Sequence, residues 1–433
     1  MCYIPGMLRA ALLALPLLLL GQVAHADMRS PWALTQNDED LRVALVTFGP
    51  GDAVHQYFGH NALLVEDTRT GVALLYNFGM FGFGPDMLPK YLRGQLEFWA
   101  AATPVEATYA HYMADNRSIR VRELNLPPAK RRLLADRLAT FVLPENRTYL
   151  YHHYFNNCST KVRDFIDIGA SGQMKRAQSG PGDFTFRGDT RRYTEHDPII
   201  HMLLLLWMND SMERPIHRWD EAFLPGELDR LVASTTIEID GRKQPLSGAV
   251  YDVFEARRAP VPATPSTVWP GLLAVGLLAG GLPLLLALWW RRSGARTARI
   301  LLGLHHALMG LVVGIPGLVL FLFLFTTWDV THWNENLFMA NPITTLALPL
   351  GVLAAFGSRR AMRWVGRAWI ALGASTLLLL LLKLLPNFDQ DTSLPMLLLV
   401  PLNLGCALAH LKLARMPARA PAEAPRGAGH VLS

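Results

Sequence analysis

The chain has 433 residues, 51% of them apolar, with a formal net charge of +6 and three cysteines. The charge is uneven: residues 27–266 hold 27 Lys and Arg against 30 Asp and Glu, a net of −3. That part carries no nucleic-acid footprint, and the basic excess falls in the loops and tail of an apolar C-terminal half.

Residues 1–26 carry one basic residue, Arg9, then an apolar run over 10–20 and Ala24-His25-Ala26 as a small-residue cleavage site. The pattern is that of a secretory signal peptide. Cys2 would leave with it. A domain over 27–256 follows, with its first half strand-rich. LRVALVTFG is succeeded by HNALLVED, a turn at TRTG, and VALLYNFG, which together predict a hairpin. A four-residue turn, Thr68 to Gly71, pairs Asp67 with Val72 and therefore Ala62 with Asn77. PPAKRRLLADRLATFVL (127–143) has helical spacing, and its prolines sit at the start, where a missing amide is tolerated. RTYLYHHYF alternates and predicts a strand that delivers the chain to Asn157 and Cys158. Val162, Phe165, Ile166 and Gly169 then follow helical spacing. PIIHMLLLLWM (198–208) is too short for a bilayer and predicts a buried helix, while TTIEIDGR predicts a short strand and turn.

A Pro-rich linker at 257–268 leads into a membrane domain at 269–413 and a tail at 414–433. Five spans are expected near 269–290, 300–325, 338–357, 368–386 and 394–413, the third beginning through Asn341-Pro342. RRSGARTAR (291–299) and SRRAMRWVGR (358–367) carry four arginines each, whereas TTWDVTHWNEN and NFDQDTS carry no Lys or Arg. By the positive-inside rule the basic loops and the C-terminus are cytoplasmic, and residues 27–266 face the other side.

With Cys2 removed and Cys406 inside the last span, Cys158 is the one thiol left in the extracytoplasmic domain. Asn157 is a good N-cap, which puts Cys158 in the first turn of a helix, where unpaired amides favour a thiolate. The competing reading is a small buried hydrophobe. A nucleophilic cysteine needs a base and a group to orient that base. His60, at a strand start after a glycine, is the candidate base. Asn77, a diagonal neighbour on the return strand, is the candidate orienter. His152 and His153 are rivals too close to Cys158 in sequence, and are read as structural. His55, His60, His152 and His153 match no zinc spacing, so neither metal nor cofactor is expected. In the loop between the second and third spans, His332, Asn334, Asn336 and Asn341 are either solvated or a lid over lipid headgroups.

The order of His on an early strand, then Asn-Cys at a helix start, resembles that of circularly permuted papain-like enzymes such as the lecithin:retinol acyltransferase-like proteins. FGHNALLVED, LLYNFGMFGF, NRSIRVRELNL, YLYHHYFNNCSTKVRDFID, RWDEAFLPGEL and THWNENLFMANP resemble, in order, the Lnb-type lipoprotein N-acyltransferase family. That resemblance implies an α+β, permuted papain-like periplasmic domain followed by five transmembrane helices in the bacterial inner membrane. It implies membrane lipids and lipoproteins as partners, with an ester-linked acyl chain moved to the N-terminal amine of a lipoprotein. Cys158 would be the nucleophile, His60 the base and Asn77 its orienter, with the helix start at Asn157 supporting the oxyanion. A papain-like amidase acting on cell-wall peptide, or a membrane scaffold without chemistry, remain alternatives. The loop charges make one prediction independent of chemistry. A reporter fused after Ser433 should be active only if it works in the cytoplasm, and activity only outside would overturn the orientation.

Overall fold

In LRVALVTF both alternating sets are apolar, so this strand must be covered on both faces. A computed structural model describes residues 30–414 apart from Phe83 and Thr267, and it shows that cover. The expected signal peptide and the tail beyond Ala414 lie outside the described residues. The chain forms two compact units. One comprises the described residues up to Leu204, Ser211–Ser266 and Thr326–Asp329, and the other Leu205–Asp210, Thr267–Phe325 and the chain from Val330.

The first unit is α+β. Its strands are β1 (Leu41–Phe48), β2 (His60–Asp67), β3 (Val72–Met80), β4 (Glu97–Pro104), β5 (Ile119–Leu124), β6 (Thr148–Leu150), β7 (Thr236–Ile239), β8 (Arg242–Pro245) and β9 (Ser247–Phe254). Seven form one sheet in the order β6-β4-β3-β2-β1-β5-β9, and β7 pairs with β8 as a separate hairpin. All ladders in the large sheet are antiparallel. Four helices matter for the site: α1 (Val105–Ala114), α2 (Pro128–Phe141), α3 (Cys158–Gly169) and α4 (Pro225–Ser234).

Alternation sorts the core into two layers. Val43, Leu45, Leu63, Val65, Tyr76 and Phe78 pack with Leu134 and Leu138 of α2, Val162, Phe165 and Ile166 of α3, and Leu228 of α4. Ala44, Val46, Phe48, Ala62, Leu64 and Leu75 form the other layer, against Tyr109 and Tyr112 of α1. The hairpin register is the expected one, with Ala62 opposite Asn77 and Asp67 opposite Val72.

Three expectations need correction. The strand through RTYLYHHYF stops at Leu150, because His152 Nδ1 accepts from the Tyr154 and Phe155 amides (3.3 Å each) and folds the chain into a turn. Ser247–Phe254, not predicted as a strand, pairs with β5 at the sheet edge. The third expected span is not one long helix. Asn341 Oδ1 accepts from the Ile343 amide (3.0 Å) and caps a start at Pro342, whose ring disfavours helix in the preceding residue. A shorter apolar helix over Pro342–Ala355 results.

The second unit contains α5 (Trp269–Ser293), α6 (Arg296–Phe323), α7 (Pro342–Ala355), α8 (Arg359–Leu382) and α9 (Ser393–Ala414). All but α7 are long and apolar enough to cross a membrane. Between lipid-facing helices burial gives no hydrophobic drive, so close backbone approach replaces it. Gly280 of α5 lies so near Pro401 and Gly405 of α9 that a Cβ would collide with the Pro401 carbonyl. Gly303 of α6 and Gly351 of α7 meet in the same way.

The core of the first unit fixes α3 to the sheet through Ile166, which is fully buried. Ile166→Ala should destabilise the domain by about 2–5 kcal/mol. Thermal unfolding of the detergent-solubilised chain measures this, and a loss under about 0.5 kcal/mol, the scale of a surface substitution, would show that α3 is not held there.

Candidate functional site

Asn157 sets the position of the thiol. Its Oδ1 accepts from the Thr160 amide (2.8 Å), and its own amide donates to Thr160 Oγ1 (2.8 Å), closing a reciprocal cap. Its Nδ2 donates to His153 O (2.7 Å) and Phe223 O (2.9 Å). All of its polar atoms are engaged, so Asn157 is a cap and its side chain has no donor to spare for a ligand. Ser159 pins the same turn to the sheet, donating to Asn61 Oδ1 (2.9 Å) and Ala222 O (2.7 Å).

The β2–β3 ladder ends at Ala62 and Asn77. Beyond it β3 leaves the ladder, with an irregularity between Asn77 and Met80 in its pairing to β4. Gly79 has φ +88° here, and a Cβ on it would stand 3.6 Å from Cys158 Cβ. The backbone amides of Asn61, Cys158 and Ser159 favour the charged form of the Cys158 thiol. Cys158 therefore packs beside Gly79 where β3 leaves the ladder, with three backbone amides favouring its thiolate.

His60 begins β2, next to Asn61 in the chain. Gly59 before it has φ +84°, and a Cβ there would lie 2.7 Å from Phe48 O, so the Gly-His pair is a backbone requirement. Asn77 Nδ2 donates to Thr103 Oγ1 (2.8 Å) and Leu75 O (3.3 Å), which turns Oδ1 toward His60 Nε2 at 3.1 Å. An amide oxygen only accepts, so Nε2 carries the proton and Nδ1 keeps a free lone pair. Phe48 and Tyr112 stack on the imidazole with ring centroids 5.8 and 6.1 Å away. Arg117 lies over Tyr112, 4.4 Å from its ring, and donates to Gly49 O (2.9 Å).

The electrostatics differ from those expected of a helix-start cysteine. Burial pushes the Cys158 thiol up, against the three amides and the Arg117 charge, which favour the thiolate. Burial also pushes His60 down to about 4, opposed by its bond to Asn77. Thiol and imidazole are thus each neutral at rest, not the preformed thiolate that the helix start predicts.

The rival histidines have other tasks. His152 holds its turn and stands 3.6 Å from Asp329. His153 is pushed down to about 3 by burial among Phe58, Tyr154 and Phe223. His55 is exposed against Phe81. In the second unit, the loop expected to face headgroups turns inward. Asn334 Nδ2 donates to the carbonyls of Leu206, Trp207 and Met208 (3.0–3.1 Å). Asn336 Nδ2 donates to Leu206 O (3.0 Å), and Asn209 donates to the His332 carbonyl (3.0 Å). Asn334 and Asn336 are buried, which corrects the headgroup reading for both. Asn341 is spent as the cap of α7. Sequence reasoning missed Asn61, Thr103, Tyr112 and Arg117. Asn61 was legible in FGHNALL as the residue after His60, but its role belongs to its backbone.

Residues 29–195 match the family model of the Lnb N-terminal periplasmic domain, the stretch that holds His60, Asn77 and Cys158. No curated protein and no solved structure matches the chain. The match and the four long apolar helices describe a multi-pass membrane protein with an N-terminal periplasmic domain.

A thiol pushed up by burial should alkylate slowly at neutral pH. Iodoacetamide labelling of Cys158 should be slower than that of a free thiol at pH 7, with a midpoint above the ordinary 9.0. Labelling faster than a free thiol at pH 7 would restore the thiolate.

Proposed function

We propose that this chain is a membrane-bound cysteine acyltransferase that moves an ester-linked acyl chain of a diacylglyceryl lipoprotein to its N-terminal amine. The observation that carries the proposal is the Cys158 thiol at its helix start against Gly79 of β3, with three amides favouring its charge, in the same domain as the oriented His60–Asn77 pair. The Lnb match over residues 29–195 supports the substrate class. The order of these groups along the chain supports the kinship with permuted papain-like enzymes.

Cys158 Sγ attacks the ester carbonyl carbon as its proton passes to His60 Nδ1. Oxyanion charge develops where the first-turn amides can donate to it. The bond to the glyceryl oxygen breaks, that oxygen takes the proton from His60, and a thioester remains on Cys158. The α-amine of the lipoprotein's terminal cysteine then attacks the thioester. His60 passes the amine proton to the departing Sγ, leaving an amide and a lyso-form lipoprotein. Because the resting pair is neutral, the thiolate arises only during attack, which limits loss of the thiol to other electrophiles. The chain runs from the domain into apolar helices, so the nucleophile is tethered to the bilayer that holds the acyl chains. With the turns before it, α7 completes a fifth pass, in the inner membrane, with the tail in the cytoplasm.

A diacylated lipopeptide with a blocked α-amine should stop the reaction at the thioester. The solubilised chain should gain one fatty-acyl mass on Cys158, removed by hydroxylamine and absent in Cys158→Ala. His60→Ala should slow the gain roughly a hundredfold. Cleavage of wall peptides with no acyl adduct would replace the transferase with an amidase.

A further inference from the structure

The helices of the second unit hold a cluster that the thiol chemistry does not use. His305 and His306 lie on α6, and Cys406 and His410 stand one turn apart on α9. All four are at least nine-tenths buried, at 8, 0, 0 and 5% exposure. One donor atom from each of His305, His306 and Cys406 falls within 4.8 Å of the others.

The hydrogen bonds fix which ring nitrogens are free. His305 Nε2 lies 2.9 Å from the Ala279 carbonyl, which only accepts, so Nε2 carries the proton and Nδ1 is a bare lone pair. That Nδ1 is buried with no hydrogen-bond partner. His306 Nε2 lies 2.9 Å from His410 Nε2, and His306 Nδ1 is likewise buried without a partner. When His306 donates in that pair, its Nδ1 is also bare. Gly366 of α8 makes room for His410, since a Cβ there would lie 2.6 Å from its ring. Trp369, 5.9 Å from His306 between ring centroids, buries an indole N–H that also finds no acceptor.

An apolar bundle gains nothing by burying two imidazole lone pairs with no donor to meet them. Metal-bound histidines show this arrangement: one nitrogen free for the ion, the other donating to a carbonyl or a second side chain that fixes the tautomer. We propose that His305, His306 and Cys406 form a transition-metal site joining α6 to α9, with His410 and the Ala279 carbonyl orienting the two imidazoles.

Two imidazoles and a thiol suit a late first-row ion, with zinc the first choice. Binding forms two metal–nitrogen bonds and one metal–sulfur bond, and it releases the thiol proton. Tetrahedral zinc places ligand atoms about 3.3–3.7 Å apart, from bonds of about 2.0–2.3 Å. A fourth position stays open, and the Trp369 N–H is available to a group bound there. His306 is ten residues after Arg296, about 15 Å along the helix, so the site lies toward the basic, cytoplasmic end.

The test uses the full chain in detergent with Cys158→Ala, which removes the other described thiol. After loading with zinc and dialysis, elemental analysis should find about one ion per chain. Cobalt loading should give a near-ultraviolet thiolate charge-transfer band. Cys406→Ser and His306→Leu should each abolish the band and cut retained metal at least tenfold, with helical circular dichroism unchanged in Cys406→Ser. A folded chain that retains no zinc and shows no cobalt band overturns the site, as does a band that survives Cys406→Ser. Neither result depends on acyl transfer.

Discussion

The backbone amide of Asn61 is the point on which the candidate site turns. A buried strand amide needs an acceptor, and β3 withdraws the ordinary one by leaving the ladder after Asn77. That amide also favours the Cys158 thiolate. Several sequence features meet at this point. Gly79 adopts φ +88° where β3 turns away, beside the thiol. Asn157 and Ser159 fix the helix start that carries the sulfur, and Gly59 brings His60 to the start of β2.

The same enclosure decides protonation. Burial penalises charge on both groups, so the thiol rises and the imidazole falls. Three amides and Arg117 oppose that shift at sulfur without reversing it. In the proposed reaction such a site is quiet at rest, and the amides that favour charge on sulfur act only once an electrophile has entered. The aromatic walls of Phe48 and Tyr112 do the complementary job, holding the imidazole plane while giving it no competing hydrogen bond.

How much of this was legible follows from which atoms carry it. Side-chain identity and alternation were enough for the hairpin register, the helix behind Cys158, and the His60–Asn77 pairing. Backbone donors were not legible, since any residue after His60 offers an amide and only the departure of β3 makes this one special. The thiolate expectation failed for the same reason: a helix start is visible in sequence, whereas the burial that outweighs it comes from distant segments. Edge strand β9 was missed because its burial is weak on both sides, leaving little hydrophobic pattern to read.

The asparagines of the second unit show the reverse error, a polar string read as solvent-facing. Asn334 Nδ2 reaches three carbonyls at 206–208, and Asn336 and Gln390 share two of those acceptors with it. Gln390 donates to Asn334 Oδ1 (3.1 Å) and to Met208 O (3.0 Å), while Glu335 pairs with Lys383. Polar residues at this depth are not a wet surface. They satisfy irregular backbone wherever it interrupts apolar packing, which is the condition on which such backbone persists beside a bilayer. This network fastens 206–208 to 334–336 and 390, with the Leu206 and Met208 carbonyls each held by two side-chain amides. The loop is therefore held as one piece with the helices around it.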